Sequence, residues 1–401
     1  MPNGTAVAGT GKVGTMAQGT WEPAFDEVVA LLDAQVAETG SGGAVGVYHR
    51  GRPVVDAWSG VADLAGNPWR SDSLAVSYST TKGVTSTALH ICVDRGLLDY
   101  DDRVADHWPE FAQHGKDAIT VRQVLCHEAG MYDVASFLER PEQILDWDAM
   151  VTGLEGMTPA FEPGTENGYH AVTFGFIVGE IVRRVSGLGI TDFVRTQIAE
   201  PLALDGCYVG LPRSEHGRLV ETITSPDAGE LARDPAAMVR MAEQLGLTIR
   251  PELIAAALPP AILTGNGGDE WVEQPMPSGN GCFTARSLAR MYACLAGGGE
   301  LDGVHLVSDK TVERAIEPQN DRPDLILGFP MQWRLGYHGV LTSAAVLPRG
   351  FGHNGYGGSG AWGDPDRELA VAYTLNALGD AIAGDTRFMD LGGAAVRAIE
   401  G

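Results

Sequence analysis

The chain has 401 residues, 44% hydrophobic and 20% charged, with 53 glycines and 22 prolines, the composition of a soluble globular protein long enough to bury a substantial core. Its 52 acidic and 28 basic residues give a formal charge of −24, which repels phosphate backbones and argues against a nucleic-acid partner. No apolar run approaches the roughly 18 residues of a membrane helix, and the five cysteines (Cys92, Cys126, Cys207, Cys282, Cys294) are widely spaced with no Cys-x-x-Cys, so neither a disulfide framework nor a zinc site is expected.

Residues 1–20 have no basic start and no apolar core; they read as a flexible tail and not a secretion signal, and a cytoplasmic location is expected. From Glu22 to Glu38, Phe25, Val28, Val29, Leu32 and Val36 recur at helical spacing, with proline near the start and Gly40 beyond the end. Two β-rich runs around Arg50-Gly51-Arg52-Pro53 predict a hairpin. A buried helix follows "SYSTTKG" (77–83), apolar at Val84, Leu89, Ile91 and Cys92 and stopped by Gly96. Between about 100 and 325, helical stretches such as 171–185 and 285–296 alternate with Gly and Pro loops, and few strand patterns occur. β character returns in "MQWRLGYHG" (331–339), "GFGHNGYGGSGAWGD" (350–364) and "ELAVAYTLN" (368–376), before a closing helix near 385–399.

Because both ends supply strands and the middle supplies helices, the expected fold class is α+β: one antiparallel sheet from the two ends, flanked by helices, with a mostly helical domain inserted. The expected division is a tail over 1–20, an α/β domain from 21–84 and 326–401, and a helical domain over 85–325. A cleft between the two lobes is the natural ligand site.

Within "SYSTTKG", Ser79 and Lys82 lie three apart at a helix start and share a face. A serine hydroxyl is a poor nucleophile unless a nearby amine, its pKa lowered by burial or charge, takes its proton. The alternative is a capping serine and a solvated first-turn lysine. Tyr169, after a Pro-Gly turn and before an apolar helix, suits acid-base work if nearby ammonium charge lowers its pKa; otherwise it is a half-buried core aromatic. In "FGHNGYGGSGAWGDP" six glycines in fifteen residues let a strand approach a ligand closely. There the amide of Tyr356 can join that of Ser79 in an oxyanion hole, or Gly357-Gly358 simply turns a hairpin. Tyr78, Trp271 and Trp362 either line the cleft or pack. His127-Glu128 lacks the second histidine of a metal motif, and no metal or cofactor is expected. Ser359 lies in Gly-Gly-Ser-Gly-Ala, which lacks the last glycine of a nucleophile elbow.

The order Ser79-x-x-Lys82, then Tyr169, then His353-x-Gly355 resembles the serine β-lactamase and penicillin-binding-protein superfamily, from about residue 22 to the end. Family VIII carboxylesterases and class C β-lactamases are most similar in character. "ITVRQVLCHEAGM" (119–131) and "GNGCFTARSLARMYACLAGGG" (279–299) resemble further blocks of that superfamily. The resemblance implies Ser79 as acylated nucleophile, Lys82 and Tyr169 as a coupled acid-base pair, and the amides of Ser79 and Tyr356 as oxyanion hole. It also implies His353, Gly355 and Tyr78 at the substrate. Two departures favour esters over penicillins: Ala171 stands where the tyrosine motif usually ends in asparagine, and His353 replaces a lysine that would meet the antibiotic carboxylate. The implied function is hydrolysis of small carboxylic esters through an acyl-enzyme on Ser79, without a cofactor. A β-lactamase or D-amino-acid peptidase of the same superfamily is the alternative, and a non-catalytic ligand-binding relative is the alternative of another class.

Overall fold

Strands from the two ends of the chain meet in one antiparallel sheet of seven. The structure is a computed structural model that describes residues 16–224, 239–240, 248–259, 262, 268–378 and 385–401. The first part contributes β1 (Gln18–Trp21), α1 (Asp26–Thr39), β2 (Gly42–His49) and β3 (Arg52–Gly60), then α2 (Thr80–Asp94). The last part contributes β4 (His338–Leu341), β5 (Val346–Asn354), β6 (Gly360–Asp364), β7 (Leu369–Leu375) and the closing helix Arg387–Glu400. The strand order is β1-β3-β2-β7-β6-β5-β4, so the two ends are joined where β7 pairs with β2, from Leu369 opposite His49 to Leu375 opposite Gly43.

Local chemistry sets the turns. Arg50 and Gly51 both adopt left-handed φ, 51° and 71°, the two-residue turn whose twist matches a β-hairpin. Gly40 closes α1 with φ 62° and gives its N–H to Val36 O. Gly357 and Gly358, at φ 80° and 103°, turn β5 into β6, as the hairpin reading of that stretch anticipates.

One face of the sheet is covered by α1 and the closing helix, whose Val28, Leu32, Phe388 and Leu391 pack on Val45, Val55, Leu369 and Val371. The helix Ala285–Ala296, although it lies in the middle of the chain, packs on the opposite face against β2, β6 and β7. Beyond it lies the main core, shared by the sheet and the helical region.

At the centre of that core runs α2, buried at every residue from Thr80 to Val93. Its hydroxyls find partners away from water: Thr85 donates to Pro277 O at 2.8 Å, Ser86 to Gly336 O at 2.9 Å, and Thr87 meets the Tyr337 hydroxyl at 2.9 Å. These bonds satisfy groups whose unpaired burial would be costly. They also fix the rotation of the helix.

Two expectations need correction. Residues 1–15 of the expected tail lie outside the described residues, but 18–21 are strand β1, held as an edge by pairing with β3. Strand character does not begin at 331: residues 331–337 form an irregular turn, with Gln332 at φ 51° and Trp333, Arg334 and Leu335 folded inward. The apolar pattern there reports burial, not extension. The region 100–325 holds few strands, as its sequence reads: those described are two residues long, and Cys207–Tyr208 and Cys282–Phe283 join Ala75–Val76 in a small sheet.

A test of this packing uses Gly83. A methyl there would sit 2.0 Å from the Tyr292 hydroxyl, on a ring that is itself fully buried. Gly83→Ala is expected to cost about 1–3 kcal/mol through overpacking, read by urea denaturation. A midpoint equal to wild type would contradict the central placement of α2.

Candidate active site

Ser79 stands at the entry to α2 as its first half-turn residue, with φ −64° and ψ −10°, and its side chain makes no cap bond. The residue before it, Tyr78, is held at φ 44°, a conformation costly for a bulky side chain and sustained only by its surroundings. Thr81 contributes by donating its hydroxyl to Tyr78 O at 2.5 Å while accepting Gly281 N–H at 2.9 Å. The turn therefore presents Ser79 half-exposed to a cavity of about 420 Å³.

Lys82 is not the solvated first-turn lysine of the alternative reading. It is fully buried, with Nζ 3.2 Å from Ser79 Oγ, 2.7 Å from Ala171 O and 2.9 Å from Ser278 O. Burial holds its amine well below the usual lysine range. Two N–H bonds of the amine go to the two carbonyls, and its third direction points at the serine hydroxyl. Tyr169 completes the group, donating its hydroxyl to Ser79 Oγ at 2.9 Å.

The expectation that an ammonium lowers the Tyr169 pKa is overturned. Burial raises the phenol, with the Ser79 bond acting weakly the other way. Lys82 Nζ, 4.9 Å from the ring centroid, does not offset the burial, and the phenol holds its proton more tightly than a free one. Its ring is clamped, stacked on Trp333 at 5.6 Å with 7° between planes and edge-on to His127 at 4.9 Å.

Around these three lies a shell of buried histidines that the sequence did not single out as a group. His170 N–H bonds to His127 Nδ1 at 3.0 Å, and Met131 N–H bonds to His170 Nε2 at 3.1 Å. His338 takes Asn354 N–H on Nε2 at 2.9 Å with Nδ1 2.8 Å from Gly339 O, and His353 Nδ1 is 2.8 Å from Asn354 O. Backbone partners thus fix neutral tautomers. Burial pushes His170 down to about 3 and His338 to about 4, and holds His127 and His353 well below the usual range, where each would also repel Lys82 or its neighbours if charged.

Ser79, Tyr169, Tyr78, His353, Gly355 and Tyr356 all border the cavity, as do Trp271 and Trp362. Gly355 is needed where it stands: a methyl there would come within 2.3 Å of Ser77 O and Ser359 Oγ, so only glycine lets the β5–β6 turn pass against the nucleophile's own turn. Ser359 is no rival nucleophile, since it is buried and gives its hydroxyl to Ser77 O at 2.9 Å. The rest of the wall is largely apolar, including Val172, Leu258, Met276, Leu327 and Phe329. Among the described residues its one charged side chain is Asp385, already paired with Arg387. Sequence reasoning missed the two carbonyls on Lys82, because backbone acceptors leave no mark in residue identity. It also missed Trp333, hidden in what reads as a strand.

Among the described residues one trio, His216, Asp269 and Glu273, brings possible metal ligands within 4.8 Å of one another. It is partly exposed, and Arg213 already binds Glu273 at 2.8 Å.

Comparison with known proteins agrees with this architecture. Residues 28–393 match the family model described as Beta-lactamase. The chain is 38% identical over 340 residues to the "Esterase/beta-lactamase LipL" of Mycobacterium tuberculosis, covering 84% of this chain and 77% of that protein. Among solved structures it resembles a family VIII carboxylesterase (TM-score 0.85, 34% identity, 95% of this chain and 99% of the other). It likewise resembles a penicillin-binding protein homologue from Caulobacter crescentus (TM-score 0.85, 35% identity, 95% and 99%). Fold and family together define a serine hydrolase of the β-lactamase type. The chain belongs to the β-lactamase family.

The histidine shell sets acid stability. His127, His170, His338 and His353, and also His90, buried on α2 with its Nδ1 2.8 Å from the Tyr100 hydroxyl, have folded pKa values below their unfolded value near 6.5, so the unfolded chain binds protons first as pH falls. Their contribution is complete above pH 6.5 and is lost toward pH 4, at up to about 1.4 kcal/mol per pH unit for each histidine. Urea unfolding at pH 7.5, 6, 5 and 4.5 is expected to show steep loss below pH 6. A flat profile across that range would exclude a neutral shell.

Proposed function

We propose that this protein hydrolyses neutral carboxylic esters through an acyl-enzyme on Ser79. The observation that carries the proposal is the convergence of Lys82 Nζ and Tyr169 Oη on Ser79 Oγ, at 3.2 and 2.9 Å, beside a largely apolar cavity. As Ser79 Oγ attacks the ester carbonyl carbon, its proton passes to the lone pair of neutral Lys82. The amides of Ser79 and Tyr356 hold the developing oxyanion. Tyr169 gives its proton to the departing alkoxide as the carbon–oxygen bond breaks and is reprotonated from Lys82. The alcohol leaves, and the pair returns to its starting state. A water then loses a proton to the same pair, its oxygen attacks the acyl carbon, and Ser79 Oγ departs and recovers its proton.

Ester preference rests on charge. No cation borders the cavity among the described residues, and a neutral His353 cannot pair with a carboxylate. Ala171 also offers no side-chain amide. Family membership and the double name of the Mycobacterium tuberculosis relative favour the second reading, β-lactam turnover, which nitrocefin tests directly. A non-catalytic binder has no use for an amine buried against a serine. Substrate therefore reads as a small, uncharged molecule, and a cytoplasmic location fits the five buried free thiols.

The expected outcome is that Ser79→Ala lowers kcat/KM for p-nitrophenyl butyrate by about 10⁴-fold or more and abolishes the fluorophosphonate adduct seen by mass spectrometry. A variant near wild-type rate would end the proposal, and nitrocefin turnover faster than ester turnover would replace it with the second reading.

Lys82 supplies a pH test with a definite sign. Because its pKa is lowered, the active neutral form predominates above the folded pKa and activity falls as pH drops through it. Lys82→Arg, whose guanidinium stays charged, is expected to lose activity at every pH from 6 to 10. Recovery of that variant at alkaline pH would show that no free amine is required.

A further inference from the structure

We infer that Asp324 is the positioning residue for Tyr169, holding the phenol by two separate grips; this deepens the catalytic reading above and rests on it. Asp324 is 1% exposed and far from the catalytic residues in sequence, and no step above uses it. Its Oδ1 accepts the backbone N–H of Tyr169 at 3.2 Å, together with those of Ile326 at 2.9 Å and Leu327 at 3.1 Å. Its Oδ2 accepts the indole N–H of Trp333 at 3.3 Å. Trp333 is the ring on which Tyr169 is stacked. One carboxylate therefore fixes both the backbone from which the phenol projects and the surface against which it lies.

The surroundings suit an ionised group. All four contacts are donors, the complement of a carboxylate and not of a carboxylic acid, which would have to donate a proton itself. Burial raises the carboxyl above its usual range, and the four bonds act the other way, for the charge. The backbone reinforces the clamp, since Leu325 N–H bonds to Asn167 O at 2.8 Å, two residues before the tyrosine. The anion also opposes ionisation of Tyr169, so the phenol enters the reaction with its proton in place. An error of about 1 Å in such a group is enough to cost roughly 100-fold in rate.

The test is a double-mutant cycle on the full chain with p-nitrophenyl butyrate. Asp324→Asn keeps the shape but turns an NH₂ group toward the indole N–H or the backbone N–H groups. It is expected to lower kcat about 10- to 100-fold with KM changed less than about 3-fold and with cooperative thermal unfolding retained. In a Tyr169→Phe background the same change is expected to cost less than about 3-fold, because the hydroxyl it positions is gone. Losses that multiply in the double variant, or an Asp324→Asn enzyme with wild-type kcat, would overturn the inference while leaving the role of Tyr169 intact. A Tyr169→Phe enzyme with wild-type kcat would overturn the catalytic reading itself, and this inference with it. Should Asp324→Asn fail to fold, Trp333→Phe removes the indole donor and much of the stacking surface; coupling of Trp333→Phe to Tyr169→Phe supports the clamp, and independent losses refute it.

Discussion

Removing one lysine amine from water is the constraint on which the site depends. An exposed amine would be charged at neutral pH and unable to accept a proton from a serine. Enclosing Lys82 shifts the balance toward the neutral form, and two backbone carbonyls, of Ala171 and Ser278, then use its two hydrogens. The third direction from Nζ points at Ser79 Oγ. Charge on any nearby ring would add repulsion, and the histidines around the site are accordingly held neutral by burial and by backbone partners.

That enclosure explains why α2 is so thoroughly covered. A helix with a lysine in its first turn would ordinarily turn that face outward. Here the sheet and the helices Thr173–Ser186, Ile190–Val194 and Asp309–Ile316 surround it, and its threonines and serines are tied to carbonyls from distant segments. Ser79 and Lys82 therefore sit on one rigid element, while the phenol and the cavity wall come from others.

Much of this was legible in the sequence, for identifiable reasons. Helical spacing at Phe25, Val28, Leu32 and Val36 and the Arg50-Gly51 turn are local signals, and α1 and the β2–β3 hairpin follow them. Ser79, Lys82 and Tyr169 carry side chains whose chemistry is distinctive in order and spacing, and the structure brings the three within hydrogen-bonding distance. What the sequence withheld depends on tertiary context. Carbonyls of Ala171 and Ser278 have no residue signature. The direction of the Tyr169 shift depends on burial and on the nearby Asp324, both properties of the folded neighbourhood. Trp333 lies in a stretch whose apolar pattern suggests a strand, and Asp324 in the loop-broken region before it, where nothing in residue identity marks its partners.

The junction of β7 with β2 has a consequence for how the protein is made. Those partners, Leu375 and Gly43 among them, stand some 330 residues apart in the chain. During synthesis the amino-terminal hairpin emerges long before the strand that completes its other edge. Non-local pairing of this kind slows folding and leaves apolar edges waiting. Ser79 thus leaves the ribosome early, yet the crevice it borders, walled by residues as late as Met389, is finished only when nearly the whole polypeptide is available.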